Sequence, residues 1–71
     1  MNDNNTIGKR IKQKRLERDW EQQELARYAG LTKQTLCKIE NGKTQASIPS
    51  ITKIADALKC TIDELLGRKA G

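Results

Sequence analysis

Apolar residues in this chain recur at spacings of three, four and seven, and no segment alternates over the length of a strand. That period puts them on single faces of helices. Ile7 and Ile11 open the first stripe, in a helix expected from about Thr6, as N-cap, to Asp19. Leu25, Ala26 and Ala29 make the stripe of a second helix. Gly30 follows at once, where helices commonly end on a left-handed residue that glycine adopts cheaply. Thr32 can then cap a third helix, with Leu36 and Ile39 pointing inward. Asn41-Gly42 stops it, and Lys43 to Ala46 read as an exposed loop. Ser47 caps a fourth helix and tolerates Pro49 in its first turn, where the missing amide would be unbonded anyway. Its stripe is Ile51, Ile54, Ala55 and Leu58. The fifth helix opens on Thr61 and Glu64 as a capping-box pair and buries Ile62 and Leu65, with Leu66 adjoining. Gly67 ends it, and Arg68 to Gly71 read as a frayed tail. The expected class is all-α: one compact five-helix domain over residues 1–71, with an ordered core from about 6 to 67.

The second and third helices meet at a tight Ala29-Gly30-Leu31 corner, and small residues at Ala26 and Gly30 permit the close approach that a steep crossing needs. The outer face of the third helix carries Lys33, Gln34, Cys37, Lys38 and Asn41. Two lysines and two amides on one exposed strip suit phosphates and base edges. The pattern is a helix-turn-helix, and its second member would be the reading helix. Gln34 can bond an adenine edge through both amide atoms, and either Lys38 or Lys33 can donate to guanine. Gln22 opens the second helix, where free backbone amides and its own side chain suit one phosphate. Asn41, Lys43 and Thr44, past the third helix, can clamp the backbone on the other flank. Cys37 is short and reads as a spectator. For Lys33 and Lys38 the plain alternative is ordinary solvated lysine.

One pair of charges interrupts the apolar seams. After Ile7 and Ile11 the next inward position is Arg15, and after Leu36 it is Glu40. Each is costly on an apolar seam unless it finds an opposite charge. They are expected to form a salt bridge tying the first helix to the reading helix. A guanidinium has five donors, so Arg15 can also be asked to reach a phosphate. The alternative is two snorkelling side chains that never touch.

Composition changes the picture only modestly. Charged residues make up 32% of the 71 and the net charge is +5, which favours a polyanionic partner. Six of the fourteen basic residues (Lys9, Arg10, Lys12, Lys14, Arg15 and Arg18) crowd the first helix. Met1 to Thr6 is polar, so no signal peptide is expected, and no stretch approaches the roughly twenty apolar residues of a membrane span. A cytoplasmic, nucleoid-associated location follows. Cys37 and Cys60 stand without any histidine, so neither a metal site, a cofactor nor a disulfide is expected. Asp63 and Glu64 are adjacent and diverge on a helix, which leaves no enzyme to propose. Of the two aromatics, Trp20 is expected to plug the core and Tyr28 to cover the outside of the second helix.

The segment EQQELARYAGLTKQTLCKIENGK resembles the phage repressor and Cro type of helix-turn-helix domain found in XRE-family-like transcriptional regulators. The resemblance runs from about Ile7 to Leu66. Its most specific parts are QQELA, AGLTKQTL and IENGKT, with IxxIAxxL further on. It implies a lambda-repressor-like fold with Lys33, Gln34 and Lys38 as base readers, Gln22 and Asn41 on phosphates, and an Arg15–Glu40 bridge. It further implies a homodimer on a palindromic operator, with reading helices about 34 Å apart. The expected seam is the C-terminal pair of helices, through Ile62 and Leu66. The function implied is a sequence-specific regulator of transcription on double-stranded DNA, a repressor before an activator, with no small-molecule effector. The alternative is a protein-interaction module such as the antitoxin of a toxin pair, with DNA binding secondary. Four positions depart from the family pattern. Glu21 stands where serine or threonine usually caps, Asp19 and Lys59 where glycine is common, and Ala46 where proline is frequent. Met1 to Thr6 also lacks a basic arm.

Overall fold

A computed structural model of the chain describes residues 3–44 and 46–67, and among these every regular element is helical. The helices are α1 (Asp3–Glu17), α2 (Gln22–Ala29), α3 (Lys33–Glu40), α4 (Ile48–Leu58) and α5 (Ile62–Leu66). The first differs from expectation at both ends. It begins three residues ahead of Thr6, which is therefore an interior residue and not the cap. It stops at Glu17, because Arg18 and Asp19 turn back onto the carbonyls of Arg15 and Leu16 at 3.1 and 3.0 Å. The expected tail at 68–71 lies outside the described residues, as do residues 1–2 of the N-terminal segment.

Hydroxyl caps start three of the helices. The Thr32, Ser47 and Thr61 oxygens accept from the backbone amides of Thr35, Ser50 and Glu64 at 3.1, 3.4 and 3.1 Å. Each satisfies one amide that the helix itself leaves orphaned. At Glu21 the compensation runs the other way: its backbone N–H donates to the Glu24 carboxylate at 2.9 Å. That is the reciprocal half of a capping box, and it places a negative charge in the first turn of α2.

Each helix contributes one wholly buried side chain to a common centre: Ile11, Leu25, Leu36, Ile54 and Leu65. Burying a side chain of this size stabilises by about 1.5–3 kcal/mol. Ala26, Ala29, Ile39, Ile51, Ala55 and Leu58 complete the buried cluster. The main packing pairs are α2 on α4 and α1 on both α3 and α5. Trp20 only half enters this core. One side packs against the cluster while its ring meets Tyr28 at a centroid distance of 4.8 Å, and the Arg18 guanidinium sits 5.3 Å from it.

Asp19 and Lys59 close their helices in the left-handed region, both at φ 57°. At α4 the amides of Lys59 and Cys60 cap the carbonyls of Asp56 and Ala55 at 3.2 and 3.0 Å. The hydrogen bonds are those of a glycine-type helix end, and a lysine Cβ is strained in it. The Lys59 side chain is exposed and makes no ion pair among the described residues. Lys59→Gly should therefore stabilise the fold by up to about 1 kcal/mol, the relief of strain being partly offset by glycine's freedom in the unfolded chain. Urea denaturation checks this, and a midpoint that falls would show that no strain is held there.

Candidate nucleic-acid interface

Gly30 makes the corner between α2 and α3. At φ 71° it turns the chain so that its own amide reaches the Arg27 carbonyl at 3.2 Å and the Leu31 amide reaches Ala26 at 2.8 Å. Two residues later Thr32 caps α3, so the second helix leaves the first at once. Ala26 and Ala29 are buried in the angle between them. α3 then buries Leu36, Ile39 and Glu40. Lys33, Gln34 and Lys38 are exposed, Cys37 is half-buried, and Asn41, Lys43 and Thr44 are exposed just past the helix. Gly42, at φ 72°, bends the chain there, and the Lys43 amide returns to the Lys38 carbonyl at 2.9 Å. Asn41 folds back along the helix and donates through Nδ2 to Cys37 Sγ at 3.3 Å. Among the described residues Lys33, Lys38 and Lys43 form no ion pair.

Behind the strip lies the charged seam. Arg15 and Glu40 meet in a two-pronged bridge, Nε to Oε2 at 2.8 Å and Nη2 to Oε1 at 3.1 Å. They are only 6% and 5% exposed. The third arm of the guanidinium, Nη1, donates to the Trp20 carbonyl at 2.7 Å, and Gln22 Nε2 donates to Glu40 Oε1 at 3.0 Å. One carboxylate on α3 therefore holds α1 and the first residue of α2. Through Arg15 it also fixes the loop between them. No buried side-chain nitrogen or oxygen among the described residues lacks a partner.

This geometry changes the part expected of Arg15. Three of its donors are engaged inside and almost none of its surface is open, so it supports the strip from behind and is poorly placed to grip a phosphate. Gln22 is half-buried and keeps one amide hydrogen free, beside first-turn amides of α2 that have no intrahelical acceptor. The basic crowding of α1 is also largely structural. Lys14 pairs with Glu64 at 3.3 Å, which holds the Glu64 carboxyl below its ordinary range, and Arg18 donates to the Leu58 carbonyl at 2.7 Å. The Arg10 guanidinium lies over Gly67 at the end of α5. Lys9, Arg10 and Lys12 remain exposed without a described hydrogen bond or ion pair. Ile62 and Leu66 are both half-buried, and Ile62 packs against the core.

Gly8 is a contributor that pattern reading passed over. It is buried where α1 crosses α3, and a Cβ there would run into the backbone carbonyls of Ile39 and Glu40. Its absence lets α1 approach the end of α3 closely enough for Arg15, two turns on, to reach Glu40. The signal was present in the spacing, since positions seven apart share a helix face.

Comparison with known proteins follows the same lines. Residues 11–65 match the Helix-turn-helix family profile. Over 64 residues the chain is 41% identical to the HTH-type transcriptional regulator SinR of Bacillus licheniformis, an alignment covering 89% of this chain and 58% of SinR. The chain thus spans little more than half the length of that curated relative. Among solved structures it superposes with a TM-score of 0.86 on the restriction-modification controller protein C.AhdI from Aeromonas hydrophila, 30% identical, covering 89% of this chain and 96% of the other. The P22 c2 repressor, solved in complex with a synthetic operator, gives a TM-score of 0.79 at 24% identity over 83% of this chain and 89% of its own. That last likeness is one of fold.

Two substitutions test the seam. Arg15→Met leaves a buried carboxylate without its countercharge and should cost on the order of 3–5 kcal/mol. Pairing it with Glu40→Leu should recover much of that loss, which a double-mutant cycle in urea would read. A single variant as stable as the parent would mean the bridge has no hold on the fold. Gly8→Ala should independently destabilise by about 1–3 kcal/mol, because backbone must move to admit the methyl. Thermal unfolding of the purified variant measures it, and an unchanged Tm would contradict the tight crossing.

Proposed function

The chain belongs to the Helix-turn-helix family, and from that premise we propose that it is a sequence-specific, double-stranded DNA-binding regulator of transcription that acts as a repressor. The observation that carries this reading is the exposed strip of Lys33, Gln34 and Lys38 on α3, its two lysines without a described ion-pair partner, flanked by exposed Asn41, Lys43 and Thr44. SinR, 41% identical over 64 residues, is a transcriptional regulator, which points the same way.

In the proposed complex α3 lies in the major groove. Gln34 bonds an adenine edge through both amide atoms, and Lys33 or Lys38 donates to guanine. Gln22 and the first-turn amides of α2 take a phosphate on one side. Asn41, Lys43 and Thr44 take the backbone on the other. The bond from Asn41 to the Cys37 sulfur does not oppose this, since a thiol is a weak acceptor that a phosphate oxygen displaces. One such strip reads only a few base pairs. A symmetric homodimer on a palindromic operator doubles the site, with the seam at Ile62 and Leu66 and the reading helices about 34 Å apart. Repression is the simpler outcome, because a bound dimer excludes other proteins from the DNA it covers. The partner-protein alternative depends on exposed apolar surface. Leu16, Tyr28 and Ile48 supply some, one on each of α1, α2 and α4, whereas the α3 strip carries no large apolar side chain, which favours DNA.

Selection of bound duplexes from a random pool at near-physiological salt tests the reading, with a two-fold symmetric motif as the expected result. Enrichment of no sequence would overturn it. On the selected site Gln34→Ala should lose discrimination at one base pair per half-site, worth about 1–3 kcal/mol. Lys43→Ala should weaken all sequences alike and flatten the salt dependence by about one phosphate's worth per half-site. Equal losses on every sequence for Gln34→Ala would remove it from the reading set.

A further inference from the structure

An open cleft of about 440 Å³ lies between α2 and the start of α3, lined by Gln23, Ala26, Arg27, Leu31 and Lys33. Its polar side chains are a guanidinium, an ammonium and an amide, none of them anionic. Neither Arg27 nor Lys33 has an ion-pair partner among the described residues. Ala26 and Leu31 supply apolar lining, which keeps the local dielectric below that of water and strengthens any charge interaction made there. Two like charges sharing one cleft repel, and an anion between them turns that repulsion into attraction on both sides. Among the described residues no carboxylate lines it.

From this arrangement we infer that the cleft receives a backbone phosphate of the DNA, with Arg27 as its main ligand. The inference rests on the DNA-binding reading above and adds to it a contact separate from those at Gln22 and beyond Asn41. The occupant follows from Lys33, which is both a wall of the cleft and the first residue of the reading helix. A strand whose base edge meets Lys33 brings its own phosphates past that wall. Gln23 and Arg27 are four apart, so they present their donors on one face of α2. A guanidinium binds phosphate through two parallel N–H bonds, which an ammonium cannot do. Arg27 therefore fixes the height of the corner over the backbone, and Lys33 is left to the base.

Arg27 also sits in the last turn of α2, where a cation favours the negative helix end. That role would change stability and leave the salt dependence of DNA binding untouched, so the two are separable. The experiment compares the full chain with Arg27→Ala and Arg27→Lys on the selected duplex, from 50 to 200 mM salt, with phosphate-ethylation interference. Arg27→Ala should lower the slope of log affinity against log salt by about 0.9 for each half-site, about 1.8 for the dimer, so that its affinity falls about 12-fold less than the parent's over that range. One ethylated phosphate per half-site should interfere with the parent and not with Arg27→Ala, and Arg27→Lys should restore the slope but bind more weakly. An Arg27→Ala protein with the parent's slope and interference pattern overturns this inference alone. A parent that binds no duplex selectively overturns it together with the reading it rests on. Loss of a protein partner with DNA binding intact would assign the cleft to an acidic protein instead, and overturn it likewise.

Discussion

The bridge between Arg15 and Glu40 is the contact on which the placement of α3 and its exposed polar strip depends. Burying two charges is unfavourable in itself, and a pair of apolar residues would fill the same seam at lower desolvation cost. What the ion pair adds is direction. Its two prongs at 2.8 and 3.1 Å fix the rotation of α1 against α3, where an apolar contact would permit sliding. The carboxylate also accepts from Gln22 and the guanidinium donates to the Trp20 carbonyl, so one network sets the relative positions of α1, the following loop, α2 and α3. Gly8 belongs to the same arrangement, since the bridge needs the close approach that a missing Cβ permits.

Net charge is a poor guide to where this domain would meet an anion. The basic residues most concentrated in the chain are those of α1. Arg10, Lys14, Arg15 and Arg18 serve the fold: they lie over the end of α5, pair with Glu64, bridge Glu40 and hold the carbonyl of Leu58. The cations left without described partners on the helix-turn-helix are fewer and more dispersed: Arg27, Lys33, Lys38 and Lys43. A positive charge matters for recognition when the fold leaves it unneutralised. That condition is set by tertiary contacts and is invisible in a count.

Much of the fold was legible because helix chemistry is local. The stripes at three- and four-residue spacing, the three hydroxyl caps and the Gly30 corner each involve residues within a few positions of one another. Arg15 and Glu40 were legible for a different reason: a charge on an apolar stripe demands an explanation, and two of opposite sign suggest each other. The left-handed ends at Asp19 and Lys59 could be anticipated only as a choice between strain and another turn. The early start of α1 was missed, because Thr6 is a plausible cap and nothing apolar precedes it to extend the stripe. The bond from Gln22 to Glu40 was missed too, since a half-exposed amide has many possible partners and only the packed structure selects one. Of the proposed interface, residue types and spacing were readable, while the α2–α3 cleft required the two helices to be placed.

The two proposed backbone anchors, Gln22 at the start of α2 and Asn41 past the end of α3, differ in how firmly they are prepared for the proposed contact. Gln22 is restrained by a charged acceptor that is itself buried and fixed, so little rotamer freedom remains to be lost when it meets a phosphate. Asn41 is restrained only by a sulfur at 3.3 Å on an exposed surface, a weak bond that leaves its amide free to turn. Under the DNA-binding reading, the α2 end sets the register on the backbone and the α3 end adapts to it. This asymmetry follows from which residues the last turn of α3 offers, Glu40 to Gln22 and Cys37 to Asn41. It makes the carboxylate more than a structural bridge, because the same group that locks α1 in place also aims the first anchor. Neutralising it would loosen the fold and misdirect that anchor together, which is a physical reason for a buried charge where an apolar residue would have been more stable.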